Sequence, residues 1–145
     1  MAAIGFSTIS HTPRRAFFIC ALAAAIGHSI RLLMMQSGIA GIVTSSALAS
    51  FAVGVISVAL APRVKVPAES CLFPALLPMI PGMYAYRSVE SVVGFFSSTG
   101  ESDFIHYLYL LNYNLFTCCA VVLAMVIGAN IPIFIWKRIS FQATR

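Results

Sequence analysis

Four long apolar stretches, near residues 14–35, 41–61, 68–98 and 104–136, alternate with short polar or basic turns along this chain. Runs of that length, apolar on most faces, predict helices able to cross a bilayer at 1.5 Å rise per residue. The pattern therefore predicts an all-α, polytopic transmembrane helical bundle with four full spans. Met1 to Ser10 is also apolar, but it is too short to span and lacks the basic start and cleavage site of a signal peptide. It reads as the remnant of a first span, and residues 1–145 as a single transmembrane domain.

The third stretch is expected to be discontinuous. Pro74, Pro78 and Pro81 each lack a backbone N–H and obstruct the preceding turn, and Gly82 follows with its conformational freedom. A break is predicted near Ile80 to Gly82. In lipid, freed backbone groups are tolerated only where protein or a water-filled cavity satisfies them, so the break should face the bundle interior. Arg87 and Glu90 follow within the same stretch. Ionisable groups at membrane depth beside a broken helix form the pattern expected of a transport site.

Composition fixes the class. With 60% hydrophobic and 9% charged residues in 145, the chain cannot hide its apolar surface in a soluble core and reads as an integral membrane protein. The net charge of +5 is spread over the ends of apolar stretches, which argues for topology and against a nucleic-acid surface. Arg14, Arg15, Arg63, Lys65, Lys137, Arg138 and Arg145 fall on one side, and Glu101 and Asp103 on the other. The positive-inside rule then makes the protein multi-pass with a cytoplasmic C-terminus. Cys20, Cys71, Cys118 and Cys119 have no metal-ligand spacing and read as small packing residues; neither a metal nor a cofactor is expected.

Several residues could carry chemistry. His28 and Arg31, three apart on the first span, share a face; they either snorkel and pack or line a cavity as a cationic surface, with Gly27 admitting a neighbouring helix. On the second span Ser46, Ser50, Gly54, Ser57 and Ala61 form a packing seam. Beyond the proline break, Tyr84, Arg87, Ser88 and Ser91 share a face with Glu90 adjacent. Arg87 and Glu90 either neutralise each other or serve a substrate, and a buried pair alone is a weak stabilising device. Tyr107, Tyr109, Tyr113 and Trp136 read as interfacial anchors, and Asn112 and Asn114 as residues that must meet other helices.

The succession A-x-I-G-H-x-x-R-x-x-x-M (Ala24 to Met35), a small-residue helix, and P-x-x-P-G-x-x-A-Y-R (Pro78 to Arg87) resembles the threonine/serine exporter family. It is most similar to the small membrane subunit of the two-component form, of which the bacterial succinate exporter is an example. The resemblance implies a transporter half in the bacterial inner membrane, working with a large complementary subunit that carries a soluble cytoplasmic domain. It implies small carboxylates or amino acids (succinate, threonine, serine) as substrates, exported with the help of the proton gradient. Carried over by position, the substrate-binding residues would be His28, Arg31, Pro78, Pro81, Gly82, Tyr84, Tyr86, Arg87 and Asn114, to which Glu90 is added as a titratable group at membrane depth.

Two other classes bear on the same residues. A membrane enzyme would need a nucleophile with its base, or a metal cluster, and His28, Glu90, Cys118 and Cys119 show no such spacing on one helix. The chain is therefore not expected to be an enzyme. A non-transporting accessory subunit remains the alternative to the exporter.

Overall fold

The structure, a computed structural model, describes residues 2–10, 12–38 and 40–136. Lys137, Arg138 and Arg145, which mark the cytoplasmic end in the topology above, lie outside the described residues.

Every regular element among the described residues is helical: α1 (Ala2–Ile9), α2 (Phe17–Gln36), α3 (Ile42–Leu60), α4 (Ala68–Leu76), α5 (Gly82–Ser97) and α6 (Glu101–Ile135). Among the described residues three segments are long and apolar enough to cross a membrane: Phe17–Gln36, Ile42–Val64 and Glu101–Ile135. The apolar segment Ala68–Met79 is shorter. Helix α2 stops where Gly38 takes a φ of 67°, a left-handed turn that a side chain would disfavour. The chain forms two compact units, one from its start to Ile80 together with α6 from Ala124, and one over Pro81–Leu123.

In the first unit α2 packs most extensively on α3, and α4 packs on α1, α2 and α3. Small residues allow it. A Cβ on Gly27 would strike Val53 Cγ2 and lie 3.3 Å from Met79 Sδ. One on Gly54 would come 2.7 Å from the carbonyl oxygen of Ala129, and one on Gly128 would collide with the Ala47 carbonyl and Ser50 Oγ. Between apolar helices in lipid, dispersion between closely approaching backbones supplies much of the attraction that water would otherwise drive. Two buried serines of α3 satisfy themselves locally, Ser46 Oγ donating to Ile42 O at 2.6 Å and Ser50 Oγ to Ala47 O at 2.9 Å, whereas buried Ser57 Oγ finds no partner among the described residues. Cys20 of α2 and Cys71 of α4 meet side chain to side chain in this interior, with Ser7 of α1 beside Cys20.

Prolines shape the end of the unit. Pro74 lies inside α4 and cannot donate to Ser70 O; Thr12 Oγ1 donates to that carbonyl instead, at 3.3 Å. After Leu76 the helix tightens into a 3₁₀ turn over Leu77–Met79, Ile80 turns extended with ψ 133°, and α5 starts at Gly82.

In the second unit α5 and the first part of α6 form a helical hairpin closed at Ser98–Gly100. Phe95 and Phe104 pack with ring centroids 4.3 Å apart beside the turn, and Glu101 and Asp103 place negative charge at the N-terminal end of α6, where the helix dipole favours it.

Candidate functional site

The chemistry-bearing residues of the second unit converge. Arg87, Glu90 and Ser91 of α5 and Tyr107, Leu110, Tyr113 and Asn114 of α6 line a hollow of about 320 Å³, within the usual size range of small-molecule sites. Helical spacing explains the set: 87, 90 and 91 stand on one face of α5, and 107, 110 and 114 on one face of α6. Ser91 is buried with its Oγ donating to Arg87 O at 2.7 Å, and Asn114 is buried with its Nδ2 donating to Leu110 O at 2.7 Å. Arg87 and Glu90 are exposed, and among the described residues they form no ion pair with each other. A guanidinium and a carboxylate thus stand open in one hollow, complementary to a solute bearing both an anionic and a cationic group.

The first unit holds a different arrangement. Arg31 Nη1 donates to Met79 O at 2.6 Å. In a continuous helix that carbonyl would accept from residue 83, but the restart of α5 at Gly82 leaves it without that partner. A charged donor on a half-buried carbonyl is among the stronger hydrogen bonds, at about 1.5–3 kcal/mol. We expect Arg31→Leu to lower thermal stability by an amount in that range and Arg31→Lys to recover part of it, measured by thermal unfolding in detergent. His28 is exposed on α2, one residue from buried Gly27. Pro78 sits in the 3₁₀ turn, and Pro81 with Gly82 starts α5, where Tyr84 N and Ala85 N both donate to Pro81 O. Tyr84 is half-buried and Tyr86 exposed on α5, both outside the lining of the hollow.

The comparison with known proteins decides what kind of molecule carries these features. Residues 1–135 match the family described as threonine/serine exporter, ThrE. The chain belongs to the threonine/serine exporter family. No solved structure matches it. Membership in a transporter family accords with the long apolar helices and places the protein in a membrane. Among the described residues of this exporter-family chain, no three or more His, Cys, Asp or Glu side chains gather as a metal site.

Of the residues expected from the sequence, the hollow brings together Arg87, Glu90 and Asn114, while Arg31 reaches the carbonyl of Met79, the residue after Pro78, in the first unit. By sequence Tyr107 and Tyr113 read only as interfacial anchors, whereas the structure sets both in the wall beside Arg87. The spacing 107, 110, 114 was the available signal, one stripe of α6 ending on a costly asparagine.

Proposed function

We propose that this chain is the small subunit of a split secondary exporter that moves a small amino acid out of the cell across the bacterial inner membrane, assisted by the proton gradient. Its partner is a large subunit carrying the complementary membrane half and a soluble cytoplasmic domain. Residues 1–145 act as one transmembrane domain of four spans, the third being α4 and α5 together across the proline turn. The C-terminus is cytoplasmic.

The observation that carries the substrate reading is the presence of Arg87 and Glu90, both open, in one hollow. Arg87 receives the substrate carboxylate through its fork of N–H donors, and Glu90 receives the ammonium group. A dicarboxylate such as succinate would set its second carboxylate against Glu90, and like charges in a site of low dielectric repel. An amino-acid zwitterion satisfies both. Arg31 and the backbone at Pro78, Pro81 and Gly82 shape the broken helix, while His28, Tyr84 and Tyr86 supply further polar groups to the translocation route. Proton coupling draws on the Glu90 carboxyl and the His28 imidazole, ionisable side chains at membrane depth.

The test is efflux of labelled threonine and labelled succinate from cells expressing the chain with and without the large subunit, as wild type and as Glu90→Gln. Threonine efflux that requires both subunits, falls at least about tenfold in Glu90→Gln and exceeds succinate efflux in the wild type is expected. Succinate efflux that survives or rises in Glu90→Gln while threonine efflux is unchanged would sink the zwitterion reading.

A further inference from the structure

One wall of the hollow is the half-buried ring of Tyr107, and it rests directly on α5 at Gly94. A Cβ at position 94 would collide with Tyr107 Cε1 and lie 2.6 Å from Cδ1 and 2.7 Å from Cζ. Carbon atoms settle at about 3.5–4 Å, so the ring occupies the space of a missing methyl group, and a side chain at 94 would displace it by about 1 Å. The ring has therefore receded from the hollow as far as the α5 backbone allows.

Hydrogen bonding points to the same residue. The Ser91 hydroxyl hydrogen and one N–H of the Asn114 amide are already engaged with carbonyls of their own helices. Tyr107 Oη has no hydrogen-bond partner among the described residues. Tyr113, the other phenol of the lining, is exposed and stacked on Tyr109 with centroids 6.2 Å apart. Tyr107 thus offers an uncommitted donor on a ring whose position is fixed by packing.

We infer that Gly94 and Tyr107 together determine which side chain the exporter accepts, selecting a β-hydroxy amino acid of threonine size. Gly94 lets the ring recede enough to admit a branched side chain, and Tyr107 Oη exchanges a hydrogen bond with the substrate hydroxyl. This inference rests on the hollow being the substrate site. A glycine that serves helix packing alone would affect all substrates through the amount of folded protein; a wall that reads the side chain changes their ratio.

The experiment measures efflux of labelled threonine and serine from cells expressing the chain with its large subunit, with unlabelled threonine and valine as competitors. Gly94→Ala should lower threonine efflux about tenfold more than serine efflux, the two differing by one methyl group. Gly94→Ala combined with Tyr107→Leu should bring the threonine-to-serine ratio back toward the wild-type value. Tyr107→Phe should narrow the preference for threonine over isosteric valine about fivefold, the worth of one hydrogen bond. Ratios are independent of expression level, so poor folding cannot mimic these results. Equal losses of threonine and serine in Gly94→Ala, no change in either, or an unaltered threonine-to-valine preference in Tyr107→Phe each overturn the inference. If Arg87→Gln exports normally, the fault lies with the hollow as substrate site; if Arg87→Gln is inactive and the ratios do not move, only the role of Gly94 and Tyr107 is refuted.

Discussion

Arg87→Gln is expected to lower threonine export by about a hundredfold or more while the chain reaches the membrane in normal amount. The magnitude follows from the loss of a charge-assisted, two-pronged contact to a carboxylate: at about 1.5–3 kcal/mol for each hydrogen bond to a charged group, a hundredfold corresponds to about 2.8 kcal/mol. Glutamine keeps a donor at similar reach but neither the charge nor the fork. Arg87→Lys keeps the charge without the planar fork and should fall between the two. Folding should survive because the Arg87 side chain is exposed at the hollow, and exposed substitutions seldom destabilise. Efflux normalised to the amount of protein in the membrane is the measurement. Normal efflux from Arg87→Gln would remove the hollow from consideration as the substrate site.

The all-helical, apolar character of this fold was legible in the sequence because its causes are local, although three candidate spans rather than the expected four are found among the described residues. Long apolar runs with basic ends leave little choice but helices in a membrane, and the helix interruption after Leu76 follows from prolines that can neither donate nor tolerate the preceding turn. The family resemblance rested on short motifs around Gly27 to Arg31 and Pro78 to Arg87, and the family match over residues 1–135 agrees with it.

Pairing between helices was far less legible. Nothing in the spacing of His28 and Arg31 indicates that the guanidinium reaches a carbonyl 48 residues away, because that bond depends on where the chain after Leu76 is brought against α2. Tyr107 looked like an interfacial anchor for the same reason. Its aromatic character suits an interface and a site wall equally, and only the seat on Gly94, 13 positions earlier by residue number, separates the two. Glycines are legible as permission for close approach, but the sequence does not say which partner accepts the offer. Glu90 and Arg87 show the opposite case, since three residues on one helix must share a side, and their common presence in the hollow needed little beyond helical geometry.

Gly128→Val is expected to destabilise the first unit by about 3 kcal/mol or more, the largest stability effect of any substitution considered. A Cβ at 128 meets the Ala47 carbonyl and Ser50 Oγ. The carbonyl belongs to the backbone of α3, so no side-chain rotation relieves the clash; α3 must move. That helix also packs on α2 and α4, and its own Gly54 lies against Ala129 and Pro132 at the same crossing. A shift there would disturb both glycine contacts at once and loosen the serine-rich seam in which Ser46, Ser50 and Ser57 are fully buried. Gly41→Ala is the appropriate control, because nothing lies within 4 Å of its added Cβ and its φ of −67° suits any residue. Thermal unfolding of the two variants in detergent should therefore diverge sharply, Gly41→Ala melting with the wild type and Gly128→Val well below it. Equal melting of both would mean that α3 and the end of α6 do not approach as closely as described.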